Sequence, residues 1–189
     1  MNMKKLGIII IAFIFTACAT IQGEYMSVRQ APLEPVAGKA MVYFMRYDSE
    51  YYNFQIWDGE KLVAIVENKS YTQYIADPGK HTFMAALGAD YRFIEADLAP
   101  DKTYYIMAAR VGFFVIPYFA VIKKDAKWWD KIPRWKERFR NLQPMESELQ
   151  MGEDSRIGRA KELFKYFEDN KEKFITEKRL TVVVPEDGV

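Results

Sequence analysis

At 189 residues, half of them hydrophobic and 15% aromatic, the chain suits one domain with an appendage and can bury a proper core. Its 27 basic and 26 acidic side chains nearly cancel, which argues against a general nucleic-acid binder. A single cysteine excludes an intramolecular disulfide, and a single histidine excludes metal centres built from several histidines or from cysteine–histidine clusters.

In chain order, Lys4 and Lys5 precede an apolar run from Leu6 to Phe15. That run is shorter than the about 20 residues a bilayer span needs, and it suits the apolar stretch of a secretory signal. Phe15-Thr16-Ala17-Cys18 follows. It resembles the lipobox of bacterial lipoproteins: an apolar residue and two small ones, which fit a peptidase cleft, then the cysteine. The expectation is cleavage between Ala17 and Cys18, with Cys18 as the lipid-bearing first residue of the mature chain. Membrane attachment then runs through that lipid, since several acyl chains suffice for stable anchoring. A plain signal peptide or an uncleaved anchor are the alternatives. Ala19 stands where an aspartate would retain the protein in the inner membrane of enteric bacteria, so the expected address is the outer membrane, facing the periplasm. Removing residues 1–17 leaves 25 basic and 26 acidic side chains, a formal charge of −1.

Residues 18–39 contain Pro32, Pro35 and Gly38 without periodicity and read as a tether. Residues 40–123 read as strands: Ala40–Tyr47, Asn53–Trp57, Lys61–Glu67, Tyr71–Ala76, Thr82–Leu87, Tyr91–Leu98 and Thr103–Arg110. Turn chemistry separates them at Asp58-Gly59, Asp77-Pro78-Gly79, Gly88-Ala89-Asp90 and Pro100-Asp101. Asp58-Gly59 suits the positive-φ positions of a type I′ hairpin. Ile94, Ala96 and Leu98 should face the core, with Glu95 and Asp97 outward. Phe113–Ile122 contains Pro117, so it should be an edge or a broken strand. The spacing predicts a mainly β fold: an antiparallel sandwich of about seven or eight strands, followed by one or two C-terminal α-helices.

Residues 124–189 form the helical extension. Trp128, Ile132, Trp135, Phe139 and Leu142 follow helical spacing, and Pro133 is tolerated only in a first turn, so a helix is expected from Asp130. A second is expected from Ser155 to Phe174, with Ile157, Ala160, Phe164 and Phe167 on one face. Thr181–Val184 reads as a final strand, and the tail from Pro185 should fray.

Met41-Val42-Tyr43-Phe44-Met45-Arg46, the hairpin Trp57 to Ala64, the segment Tyr74 to Phe83 with Pro78-Gly79-Lys80-His81, and Leu98 to Ile106 together carry a likeness. Residues 40–122 resemble a family of uncharacterised bacterial lipoproteins whose domain is similar to PEGA and transthyretin-type β-sandwiches. The Pro100-Asp101-Lys102 turn departs from the family's glycine-lysine form. The resemblance implies a sandwich at the envelope and supplies no catalytic residues.

No catalytic residue and no cofactor or metal is assigned from the sequence. His81 opens a strand after a turn, where a structural role is expected, and no Gly-x-Ser-x-Gly elbow accompanies it. Asp48 with Glu50, and Asp58 with Glu60, are loop carboxylates that a hydrolase could use if a cleft held them about 5–10 Å apart. The segment Lys127–Arg140 carries six basic and two acidic side chains around three tryptophans, and from it Trp128, Trp129, Lys131, Arg134 and Arg138 are taken as the candidate interaction surface. Such a mixture suits a membrane interface, an anionic glycan or a protein hot spot. The simpler reading packs Trp128, Trp135 and Phe139 on the sandwich, with Trp129 off the stripe and exposed. The leading expectation is a non-enzymatic, lipid-anchored binding module that contacts an envelope protein, a glycan or the membrane surface. An envelope hydrolase and a carrier of a small lipid or peptide are the alternatives.

Overall fold

The computed structural model describes residues 26–29, 31–47, 53–87, 90–111, 116–144 and 153–189. Ala17, Cys18, Asp48 and Glu50 lie outside these residues. The strands are β1 (Met26–Val28), β2 (Ala40–Arg46), β3 (Phe54–Asp58), β4 (Lys61–Val66), β5 (Ser70–Ala76), β6 (Gly79–Leu87), β7 (Asp90–Leu98), β8 (Thr103–Val111), β9 (Ile116–Val121), β10 (Arg140–Pro144) and β11 (Leu180–Val183). Among the described residues there are three α-helices, α1 (Ile132–Arg138), α2 (Glu153–Asp169) and α3 (Lys171–Thr176).

The fold is mainly β, with two sheets packed as a sandwich. One sheet has the order β1-β10-β5-β2-β8-β9 and the other β11-β7-β6-β3-β4. The chain crosses between them repeatedly, so a strand enters its sheet in either direction. Three pairings are therefore parallel (β2 with β8, β5 with β10, β7 with β11) and the rest antiparallel. Among the described residues the expected antiparallel sandwich thus becomes a mixed one of eleven strands. β9 is an edge strand, as Pro117 requires.

Four layers result, because each sheet is covered on its outer face. Phe44, Phe54, Ile56, Phe83, Ile94 and Ile106 fill the space between the sheets, with Phe44–Phe83 and Phe54–Phe119 meeting edge to face at 5.3 and 5.7 Å. Every residue of β2 is buried, since Val42 and Phe44 enter this core while Tyr43 and Met45 enter the outer layer. That double burial explains its unbroken apolar run. Along β7, Ile94, Ala96 and Leu98 face the core as alternation predicts. Phe93 points the other way, beneath Phe164 and Phe167 of α2 and Phe174 of α3, with Phe167 stacked on it at 4.1 Å.

Several boundaries differ from expectation. In the β3–β4 hairpin Asp58 still pairs with Lys61, so the loop is Gly59-Glu60, with Gly59 at φ +55° in its first position. The tether expected over residues 18–39 runs too far: Met26–Val28 pair with β10, and the Leu33 segment is held by Gln73. The helical extension also contains two strands. α1 stops at Arg138, Phe139 turns extended (ψ 150°), and Arg140–Pro144 pairs with the open edge of β5, which a longer helix would leave bare. The second predicted helix breaks at Asn170 (φ −129°).

The C-terminal tail is pinned rather than frayed. Val189 exchanges two backbone hydrogen bonds with Thr103, at 3.0 and 2.9 Å. Asp187 accepts from the Val184 N–H at 3.0 Å and pairs with Lys123 at 2.7 Å. Gly188 lies so close to Tyr104 that an added Cβ would sit 2.7 Å from its ring.

Candidate functional site

The predicted interaction surface forms one contiguous outer layer over β2, β5 and β8. A 3-10 turn, Trp129–Lys131, leads into α1, with Pro133 in the first turn as its missing N–H allows. Ile132 is buried against Met41, Tyr43, Met45, Tyr71 and Met107, and Trp128, Trp129, Trp135 and Phe139 pack half-buried around it. Trp129 is therefore not the exposed residue that helical spacing implies. It lies in the 3-10 turn, where three residues per turn bring it to the sheet side, edge-on to Tyr105 at 5.9 Å. Trp135 stacks between Tyr47 and Phe139, at 5.8 Å from each.

The aromatic floor fixes the cations above it. Lys136 Nζ sits 4.7 Å from the Tyr43 ring centroid and Lys127 Nζ 5.9 Å from that of Trp128, both within cation–π range. Lys131 pairs with Asp130 at 2.7 Å, and Arg140 with Glu67 at 2.8 Å. Lys131, Arg134 and Arg138 are exposed. Beneath them, burial pushes the Tyr105 hydroxyl up to about 12, with the neighbouring Tyr43 adding to the shift. The layer is thus an aromatic sheet facing inward and a row of cations facing out.

A second constellation lies in the other sheet. Asp58 ends β3 and His81 lies near the start of β6, and antiparallel pairing of these strands brings the two side chains together. Asp58 Oδ2 accepts from the Tyr74 hydroxyl at 2.8 Å and meets His81 Nδ1 at 2.9 Å. His81 Nε2 lies 2.8 Å from the Asp77 carbonyl oxygen, and the ring stacks on Phe83 at 5.6 Å. Both partners are acceptors, so the ring donates to both only as imidazolium. The Asp58 hydrogen bond raises the His81 pKa above its ordinary 6.5, against the opposing effect of burial. Burial and the Asp58 contact push the Tyr74 hydroxyl up as well. Lys39 pairs with Asp77 and holds its carboxyl below the usual range.

Two clefts flank His81. One, of about 420 Å³, lies between the β3–β4 loop, β6 and α2 and is lined by Asp58, Glu60, Lys80, Lys161, Phe164 and Glu168. The other, of about 320 Å³, lies between β6, β7, β11 and Lys171 of α3. Glu60 pairs with Lys161 at 3.2 Å, so Asp58 and Glu60 are each engaged by neighbours rather than aimed at a common point. Both His81 nitrogens are engaged too, which leaves the ring no free lone pair for base chemistry. Among the described residues no group of three histidine, cysteine, aspartate or glutamate side chains is placed to hold a metal ion.

The basic aromatic segment is legible in the sequence, whereas the Asp58–Tyr74–His81 cluster is not. Its members lie on three strands, and only the pairing of β3 with β6, across two intervening strands, unites Asp58 and His81. No described helix is long and apolar enough to cross a membrane. No protein-family model, curated protein or solved structure matches the chain.

Proposed function

We propose that the protein is a non-enzymatic binding module, held at the bacterial envelope by lipid on Cys18 and facing the periplasm from the outer membrane. The signal-like N-terminus supports the address: Lys4 and Lys5, the Leu6–Phe15 apolar run and Phe15-Thr16-Ala17-Cys18 arrive in the order an exported lipoprotein needs. The likeness of residues 40–122 to PEGA-type lipoprotein domains points to the same compartment.

The single observation behind a binding role is the α1 layer, where Lys131, Arg134 and Arg138 stand exposed over packed tryptophans. Packing of Ile132 and the tryptophans against the sheet holds the backbone that carries these cations, so little loop entropy is lost when a ligand binds. Asp58 and His81 engage each other and Glu60 pairs with Lys161, which supports recognition over catalysis.

In-cell photo-crosslinking tests this reading. A probe at Arg134 on α1 is compared with one at Lys165, exposed on α2. The expected outcome is adducts, to lipid headgroups or to an envelope partner, from Arg134 alone. Equal adducts from both positions, or adducts from Lys165 only, would contradict it.

A further inference from the structure

The two outer layers differ in charge. Residues 153–176, spanning α2 and α3, carry six basic and six acidic side chains. Many pair off: Lys161 with Glu60, Lys165 with Asp169, Lys171 with Glu95 and Lys173 with Glu177. Residues 127–140, on the α1 side, carry six against two, a net +4. Arg134 and Arg138 make no ion pair among the described residues. Tyr47, 41% exposed, stacks on Trp135 in the same layer. Exposed cations on a packed helix with an exposed aromatic beside them are the composition that sits at headgroup depth.

Chain length then selects a partner. Cys18 precedes Met26 by eight residues, which span at most about 28 Å when fully extended. Met26 begins β1, the edge strand of the sheet that α1 covers. Four strand spacings of about 4.8 Å, roughly 19 Å, separate β1 from β8. The α1 layer therefore lies within one tether length of the lipid. Both clefts lie on the opposite, α2 side.

From this placement we infer that the α1 layer docks on anionic headgroups of the same bilayer that holds the lipid, so the domain lies down on Lys131, Arg134 and Arg138 instead of standing off on its tether. The inference rests on lipidation of Cys18. It turns the α2 layer and the two clefts toward the periplasm.

The test uses the full mature lipidated chain, reconstituted into vesicles of phosphatidylcholine alone or with phosphatidylglycerol. Lipidation consumes the only native thiol, so a fluorophore can be placed uniquely through Glu137→Cys on α1 or Glu162→Cys on α2. Headgroup-labelled quencher lipids report contact. The expected result is strong quenching at 137 in anionic vesicles, weakened by salt and in neutral vesicles, with little at 162. Each cation near an anionic surface is worth about fivefold in the docked-to-undocked ratio, so combined Lys131→Glu, Arg134→Glu and Arg138→Glu should abolish the signal. Equal quenching in both vesicle types, or none at 137 in a chain that still floats with the vesicles, overturns docking and leaves the anchor intact. Protection of the 137 probe by soluble envelope glycan without lipid quenching overturns it in favour of a glycan partner. A chain that fails to float overturns both readings.

Discussion

Gln73 of β5 clasps the segment that leads from the N-terminus into the fold, and its removal should loosen that attachment. Its side-chain amide donates to the Leu33 carbonyl oxygen and to the Tyr43 hydroxyl, both at 3.0 Å. Its oxygen accepts from the Leu33 N–H and from Asn141 Nδ2, both at 2.9 Å. Gln73→Leu keeps the volume and removes all four bonds. Tyr43 and Asn141 are buried, and each then bears a desolvation cost of about 1–3 kcal/mol, while the half-buried Leu33 backbone is rehydrated at smaller cost. Allowing about 1 kcal/mol back for burying leucine in place of an amide, the expected loss is about 3 kcal/mol. With a urea slope of about 2 kcal/mol/M, the midpoint should fall by about 1.5 M. Hydrogen exchange should show the Leu33 amide losing protection first. A loss below about 1 kcal/mol with Leu33 still protected would mean that the Gln73 clasp is not what holds the segment.

Asp58→Asn should lower the His81 pKa, since the partner that raises it is gone and burial still opposes the charge. Because the folded pKa is raised, the His81 contribution is fully present below 6.5 and is lost as pH rises through the folded value; the variant should flatten that pH dependence. As the only histidine, His81 can be titrated by NMR as one resonance. Phe93→Ala empties the site beneath Phe167 and Phe174 and should cost about 3–5 kcal/mol in urea unfolding. Gly188→Ala drives a Cβ to 2.7 Å from the Tyr104 ring and should cost about 1–3 kcal/mol, with faster exchange at the Thr103 and Val189 amides.

The sequence resolves strands most clearly where one rule acts alone. The alternation of Ile94, Ala96 and Leu98 and the break at Gly79 are local signals that the structure follows, while the hairpin at Gly59 is found one residue later, as Gly59-Glu60. Phe139 and Leu142 show where periodicity misleads. Both keep helical spacing, yet Phe139 packs under α1 while Leu142 joins the α2 side from β10. The open edge of β5, invisible to a local pattern, decides between helix and strand. The tail is similar: Asp187 and Val189 are held by Lys123 and Thr103, partners distant in sequence. For the candidate site, the charge excess of residues 127–140 is readable directly, but the inward turn of Trp129 depends on a 3-10 geometry that composition does not signal. The Asp58–His81 contact depends wholly on strand order.

Anchoring through Cys18 can be read from the intact mass of the chain extracted from membranes of the expressing bacterium. The expected product is a mature chain that lacks residues 1–17 and carries diacylglyceryl and acyl mass on Cys18, with a Cys18→Ser variant lacking that mass. A chain that retains residues 1–17, or one cleaved there with an unmodified Cys18 thiol, would contradict it.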